Sequence, residues 1–209
     1  MKRKLLEFAF VLTLGVLVLP AVAQAGDILH IQGPSVWANF SSSQGCVETS
    51  VFANFNPYRV QFPPGSGVAQ ENYSVVAISQ FDTCQGIQLV DAYGFGYVGA
   101  DLPGGQESYI AKGLESARLK TTIPAFDQVS GNTYDVSIDL TWTAIGPPIR
   151  TNTHSHFKAP GLIVNEHFNG TNREAECSGT VDYGTGNLTP ELSIGANILI
   201  VKSGRVLID

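Results

Sequence analysis

The chain has 209 residues, with 12 Lys and Arg against 18 Asp and Glu, a formal charge of −6. That balance argues against nucleic acid or an anionic membrane surface as a partner, since both are recognised by clustered positive charge. With 22 Gly, 11 Pro, frequent aromatic and β-branched residues and few stretches of helical period, the composition reads as many strands joined by tight turns.

Residues 1–25 have the layout of a secretory signal peptide. Lys2, Arg3 and Lys4 precede an apolar run from Phe8 to Val18 and then Ala23-Gln24-Ala25, a small-x-small cleavage pattern. The run is short for a membrane span. Removing the segment leaves residues 26–209, with 9 basic and 17 acidic residues and no second long apolar segment. The expectation is a single secreted domain, periplasmic or extracellular, with no membrane span after cleavage. Its fold is all-β, an antiparallel two-sheet sandwich with a β-barrel as the other packing.

Asp27 to Trp37, which contains Pro34, reads as an edge strand. Cys46 to Phe55 reads as the next strand, and Phe62 to Gly67 as a loop. Tyr73–Phe81 and Ile87–Tyr97 flank Asp82-Thr-Cys-Gln-Gly86 as a hairpin. Cys46 and Cys84 both lie beside turn residues, and in an oxidising compartment they are expected to pair. Cys177 is left over, either as a buried thiol or as an intermolecular link. Gly94-Phe-Gly-Tyr-Val-Gly99 matches G-x-G-x-x-G, but Ala100-Asp-Leu-Pro-Gly-Gly105 after it starts no helix. The stretch is therefore read as a glycine-rich bend and not a dinucleotide loop. Tyr109 to Leu114 is compatible with a helical turn, and Ala117 to Ile123 alternates as a strand.

From Tyr134 to Ala144 every second residue is apolar, strict period-2 alternation with one buried and one wet face. Gly146-Pro147-Pro148 reads as a turn, and Arg150 to Phe157 as a second strand folding back on the first. His154 and His156 are the sharpest feature of this hairpin. At i and i+2 their imidazoles share a face, about 6–7 Å apart, a spacing from which two metal ligands converge. A register that sets His156 opposite Asp139 and His154 opposite Thr141 makes Asp139 the third ligand of a divalent metal. A slip of one residue turns the histidines to the apolar side. His167 and Glu166 are candidate contributors from the next strand. Leu162–Phe168, Glu174–Val181 and Leu192–Val206 supply the remaining strands.

Other acidic groups read as structure. Asp135 and Asp139 share a face but stand about 13 Å apart, beyond the roughly 5–9.5 Å of a glycosidase pair. Glu174 and Glu176, beside Arg173, read as a solvated strand face. Asp182-Tyr-Gly-Thr-Gly-Asn187 lacks the acidic positions of a calcium loop. Trp37, Phe40, Phe52, Phe55, Tyr58, Tyr73 and Tyr97 are candidates for a carbohydrate platform.

With export, strands and no assembled catalytic motif, the sequence favours a non-enzymatic extracellular protein that binds a ligand, a glycan or another protein. A metal-dependent enzyme or metal-binding protein built on His154, His156 and Asp139 is the second reading. A structural envelope or matrix protein is the third.

Overall fold

The structure is a computed structural model that describes residues 27–61, 68–98, 107–159, 162–184, 187–188 and 193–208. The expected signal peptide lies outside the described residues. In chain order the strands are β1 (Asp27–Gln44), β2 (Val47–Gln61), β3 (Val68–Asp82), β4 (Ile87–Tyr97), β5 (Glu107–Ile110), β6 (Ser116–Asp127), β7 (Thr133–Ala144), β8 (Ile149–Ala159), β9 (Leu162–Asp182), β10 (Asn187–Leu188) and β11 (Ser193–Ile208). The chain is all-β, every ladder is antiparallel, and among the described residues there is no helix, so none long and apolar enough to cross a membrane.

All eleven strands belong to one hydrogen-bonded sheet, not to two separate ladders. β1 pairs with β2, β2 with β3, β3 with β4, β4 with β6 and β6 with β7. β7 pairs with β9, β9 with β11, and β11 with β1 again. Eight strands thus form a circuit of ladders in which each has a neighbour on both edges. β5 sits beside β6 beyond the stretch paired with β4, and β10 adds two residues to the end of β9.

Alternation carries one side chain in two to a common interior. Val36, Ala38 and Phe40 of β1 pair with Phe55, Ala53 and Val51 of β2, and all are buried. From β7, Val136, Ile138, Leu140 and Trp142 enter the same apolar cluster. Trp142 is fully buried, and its indole N–H donates to the backbone carbonyl of Trp37 at 3.0 Å. Close approach elsewhere needs glycine. A Cβ at Gly94 would lie 2.9 Å from the Pro124 carbonyl oxygen and 3.0 Å from Val76, and one at Gly96 would lie 3.1 Å from Ile123. The glycine-rich stretch is thus a strand packed against β6.

Four expectations are corrected by the ladders. β7 and β8 do not fold back on each other. They lie end to end along the same edge of β9, Ser137–Ala144 against Asp182–Ala175 and Ile149–Ala159 against Asn172–Leu162. Gly146-Pro147-Pro148 is therefore a break in one long line and not a hairpin turn. Arg173 closes it by donating to the Gly146 carbonyl at 2.6 Å, and Ile145 N–H donates to the Glu174 carbonyl at 3.0 Å. Leu162–Phe168 and Glu174–Val181 are parts of a single 21-residue strand, β9. β1 is no edge strand, since it pairs on both sides. Pro34 is tolerated because the β1–β2 register would set it opposite Pro57, and the ladder skips from Gln32↔Arg59 to Val36↔Phe55. Tyr109–Leu114 holds the end of β5 and a tight turn in which Leu114 is buried with φ 59°.

Cys46 and Cys84 form the expected disulfide, joining the β1–β2 turn to the β3–β4 turn across a separation of 38 residues. The Thr83 amide and hydroxyl both donate to the Cys46 carbonyl beside it. At the same end the buried Asp127 carboxylate accepts backbone N–H bonds from Asp91 (2.9 Å), Val129 (3.1 Å) and Ser130 (3.3 Å), tying β4 to the β6–β7 turn. Its burial pushes the carboxyl pKa up, but these donors outweigh burial and hold it below the usual aspartate value.

Replacing both Cys46 and Cys84 with serine is expected to lower stability by roughly 4 kcal/mol in the chain-entropy account, seen as a melting temperature about 8–16 °C lower. A group whose folded pKa is depressed contributes stability above its unfolded pKa and loses it as pH falls through the folded value. Asp127→Asn is therefore expected to be less stable than wild type at pH 7. The gap should narrow below about pH 4, as read from urea midpoints across a pH series.

Candidate functional site

Residues directly opposite each other across an antiparallel ladder project to the same side. Because the interior is filled by Val36, Phe55 and their alternating partners, the intervening residues of β1–β4 form an outer face. Its rows read Asn56–Tyr73–Tyr97, then Trp37–Asn54–Val75–Phe95, then Asn39–Phe52–Ala77–Tyr93, then Ser41–Ser50–Ser79–Asp91. Tyr58, two residues beyond Asn56 on β2, shares this face.

Seven aromatic side chains therefore lie on four adjacent strands, outside the core. Four of them touch in sequence: ring centroids are 6.1 Å apart for Tyr58–Tyr73, 5.5 Å for Tyr73–Phe95 and 5.4 Å for Phe95–Tyr97. Tyr97 is 62% exposed and the other six are half-buried. Asn54 and Asn56 are buried among them. The Asn54 side-chain oxygen accepts the Val75 N–H at 2.9 Å, and Ser35 donates to Asn56. Burial raises the Tyr58 phenol pKa, only partly offset by its hydrogen bond with Ser35, and burial raises that of Tyr93 also. These phenols stay neutral at ordinary pH and can both donate and accept hydrogen bonds.

Of the aromatic candidates read from sequence, Trp37, Phe52, Tyr58, Tyr73 and Tyr97 share this face. Phe40 and Phe55 do not: they are 2% and 3% exposed, inside the core. Sequence reasoning missed Tyr93 and Phe95. Their signal was present in Ala92-Tyr-Gly-Phe-Gly-Tyr97, where small residues alternate with aromatic ones, the small ones facing inward.

The histidine candidates lie elsewhere. His154 pairs with His167 and His156 with Asn165, at the far end of β8–β9. Asp139 pairs with Thr180 on the same strand, 13 residues from His167 and so about 43 Å away. Asp139 is therefore not brought together with His154 and His156. The break at Gly146–Pro148 replaced the turn that would have done so. Asp139 instead meets Arg118 at 2.9 Å and Lys120 at 4.0 Å. Glu166 points to the face opposite His167, is buried, and accepts a bond from the Ser155 hydroxyl at 2.6 Å. Asp82 lies close to Cys46 and Cys84, but their sulfurs are bonded to each other, so this group offers no thiolate to a metal.

Cys177, the free cysteine among the described residues, is buried opposite Trp142, and burial pushes its thiol up to about 12. It is a core residue and not a nucleophile. No family model matches the chain, and neither the curated proteins nor the solved structures give a match.

Cys177 is expected to remain unmodified by iodoacetamide at pH 8 in the native protein and to react fully in denaturant, as read by intact mass.

Proposed function

We propose that this is a secreted, non-enzymatic β-barrel protein whose outer aromatic face binds a neutral saccharide chain. The circuit of eight antiparallel strands is read as a flattened barrel. At eight strands the interior is just wide enough to be filled by side chains, and the continuous apolar cluster fits that geometry. A barrel packed solid leaves its outside as the place to bind. Export is supported by the signal-like residues 1–25 and by the disulfide, a feature of oxidising compartments.

The observation that carries the reading is the gathering of Trp37, Phe52, Tyr58, Tyr73, Tyr93, Phe95 and Tyr97 on one exterior face of β1–β4. An apolar exterior patch of this kind marks an interaction surface. Its chemistry favours sugar over a purely apolar partner. The row next to the aromatic ones is Ser41–Ser50–Ser79–Asp91, hydroxyls and one carboxylate. Pyranose rings present C–H faces that pack on aromatic rings and hydroxyls that bond to serines. With Asp91 the one charge in these four rows, a neutral chain is preferred.

The two tryptophans give a built-in readout. Trp37 is on the proposed face and Trp142 is fully buried in the core. In a panel of neutral polysaccharides and oligosaccharides, a bound member should protect Trp37 from acrylamide quenching and retard the protein in affinity electrophoresis. Tyr97→Ala and Tyr73→Ala should each weaken binding about tenfold, close to 1.4 kcal/mol, with the core signal of Trp142 unchanged. If no panel member retards the protein, or if retardation is the same in both variants as in wild type, the reading fails.

A further inference from the structure

Beyond the level of Gly33–Ser35 the sheet continues as an open extension. There β8, β9, β11, β1, β2 and β3 lie side by side in that order, and β8 has no second ladder partner among the described residues. One face of this extension carries every histidine of the chain. His154 on β8 lies opposite His167 on β9, which lies opposite Arg205 on β11, which lies opposite His30 on β1. His156, two residues along β8 from His154, shares the face, as does its partner Asn165. All four histidines are exposed.

We propose that the β8–β9 hairpin binds a divalent transition-metal ion through His154, His156 and His167. The three positions form a compact triangle. Directly paired residues have Cα atoms about 4.5–5.5 Å apart, and i, i+2 neighbours on one strand about 6.8 Å. The His154 and His167 rings lie side by side, tilted by 57°, with centroids 6.4 Å apart. A zinc–nitrogen bond of about 2.0–2.1 Å brings two imidazole centroids to about 5 Å around a shared tetrahedral ion. Closing that difference takes about 1 Å, which rotation of two exposed side chains supplies.

The third ring is held through one of its nitrogens, and its approach to the other two takes a side-chain rotation. His156 Nδ1 lies 2.7 Å from the Asn165 side-chain oxygen, so Nδ1–H donates to it and Nε2 keeps its lone pair for a metal. This arrangement of a ligand imidazole held through its other nitrogen is the usual support of a metal-binding histidine. His30 stands two strands from His167, about 10 Å, outside the same coordination sphere. Three imidazoles leave a fourth tetrahedral position for water.

The surrounding charge selects the kind of ion. Lys158 lies at i+2 from His156 on the same face. Glu166 faces the other way and Asp139 is remote, so no carboxylate described on these two strands joins the three rings. Hard cations such as Ca²⁺ and Mg²⁺, which need several oxygen ligands, gain nothing here. Zn²⁺, Ni²⁺ and Cu²⁺ bond to neutral imidazole nitrogen and are the ions this face suits.

The test is calorimetric titration of the untagged protein with Zn²⁺, Ni²⁺ and Cu²⁺, alongside Ca²⁺ and Mg²⁺, with melting curves in EDTA and in each metal. One ion per chain and a rise of about 5–10 °C in melting temperature at saturating Zn²⁺, Ni²⁺ or Cu²⁺ are expected. His154→Ala and His167→Ala should each weaken binding at least tenfold, Asn165→Ala severalfold, and His30→Ala not at all. All four positions are exposed or half-buried, so the variants should keep the wild-type melting temperature in EDTA, which confirms that they fold. Absence of heat and of any shift with all three transition metals overturns the proposal. So does binding that survives the His154→Ala/His167→Ala double variant, binding lost equally in His30→Ala, or an equal response to Ca²⁺. None of these outcomes bears on the saccharide reading, which is tested on the opposite side of the sheet at residues the metal does not touch.

Discussion

One edge of β9 serves two different neighbours in succession, and the rest of the architecture depends on that. With 21 residues, β9 is long enough to take β7 along its second half and β8 along its first. Its other edge takes β11. Had Gly146-Pro147-Pro148 reversed the chain, β8 would have covered β7 and left the second half of β9 without β6 and β7 as its continuation. Instead the two prolines, which have no N–H to give a ladder, interrupt a single line, and Arg173 fastens the interruption at Gly146. The circuit of strands closes through β7, and the extension grows from β8.

The boundary between circuit and extension is built from prolines on the other strands as well. Pro34 and Pro57 would face each other at the point where the β1–β2 ladder skips its pairs. Gly33 sits there with φ 148°, where a Cβ would lie 2.6 Å from the Pro57 carbonyl oxygen. The β11 register shifts close by, between Val201 and Ser203. Three irregularities thus fall at one level of the sheet. Below that level opposing strands supply a common interior. Trp142 crosses it to reach the Trp37 carbonyl, a tie between residues 105 apart in sequence that fixes how far the two walls stand from each other.

Much of the fold was legible in the sequence because side-chain period reports which face a residue occupies. The alternation from Tyr134 to Ala144 marked β7 and its buried residues, and the turn residues around Cys46 and Cys84 marked the disulfide. Period says nothing of which strand lies alongside, and the errors arose there. A Gly-Pro-Pro between two strands is as compatible with a break as with a turn, and the choice moved Asp139 some tens of ångströms from His156. That His154 and His156 share a face was legible; which face that is, and their neighbour His167, became definite only with the β8–β9 register. Likewise the aromatic residues divided by parity. Phe40 and Phe55 fell inward and Trp37 and Phe52 outward, a division that residue type alone does not show.

The two proposed sites share a cause in that parity. Within the circuit the interior face is apolar and in places small, as at Ala38, Ala53, Gly94 and Gly96, and Phe40, Phe55 and Trp142 fill it; the aromatic residues of the other parity are carried on the outside. In the extension the same parity of β1 and β9 has no opposite wall to meet. Among the residues whose side chains are described, His30, Asn165, His167 and Asn169 take the positions that would otherwise continue the core. A sheet that stops enclosing itself exposes what was its inner face, and the side chains found there are free to be chosen for the ions or molecules they hold and not for packing. The proposed saccharide face and the proposed histidine site thus both lie where, among the described residues, side chains are not claimed by the core.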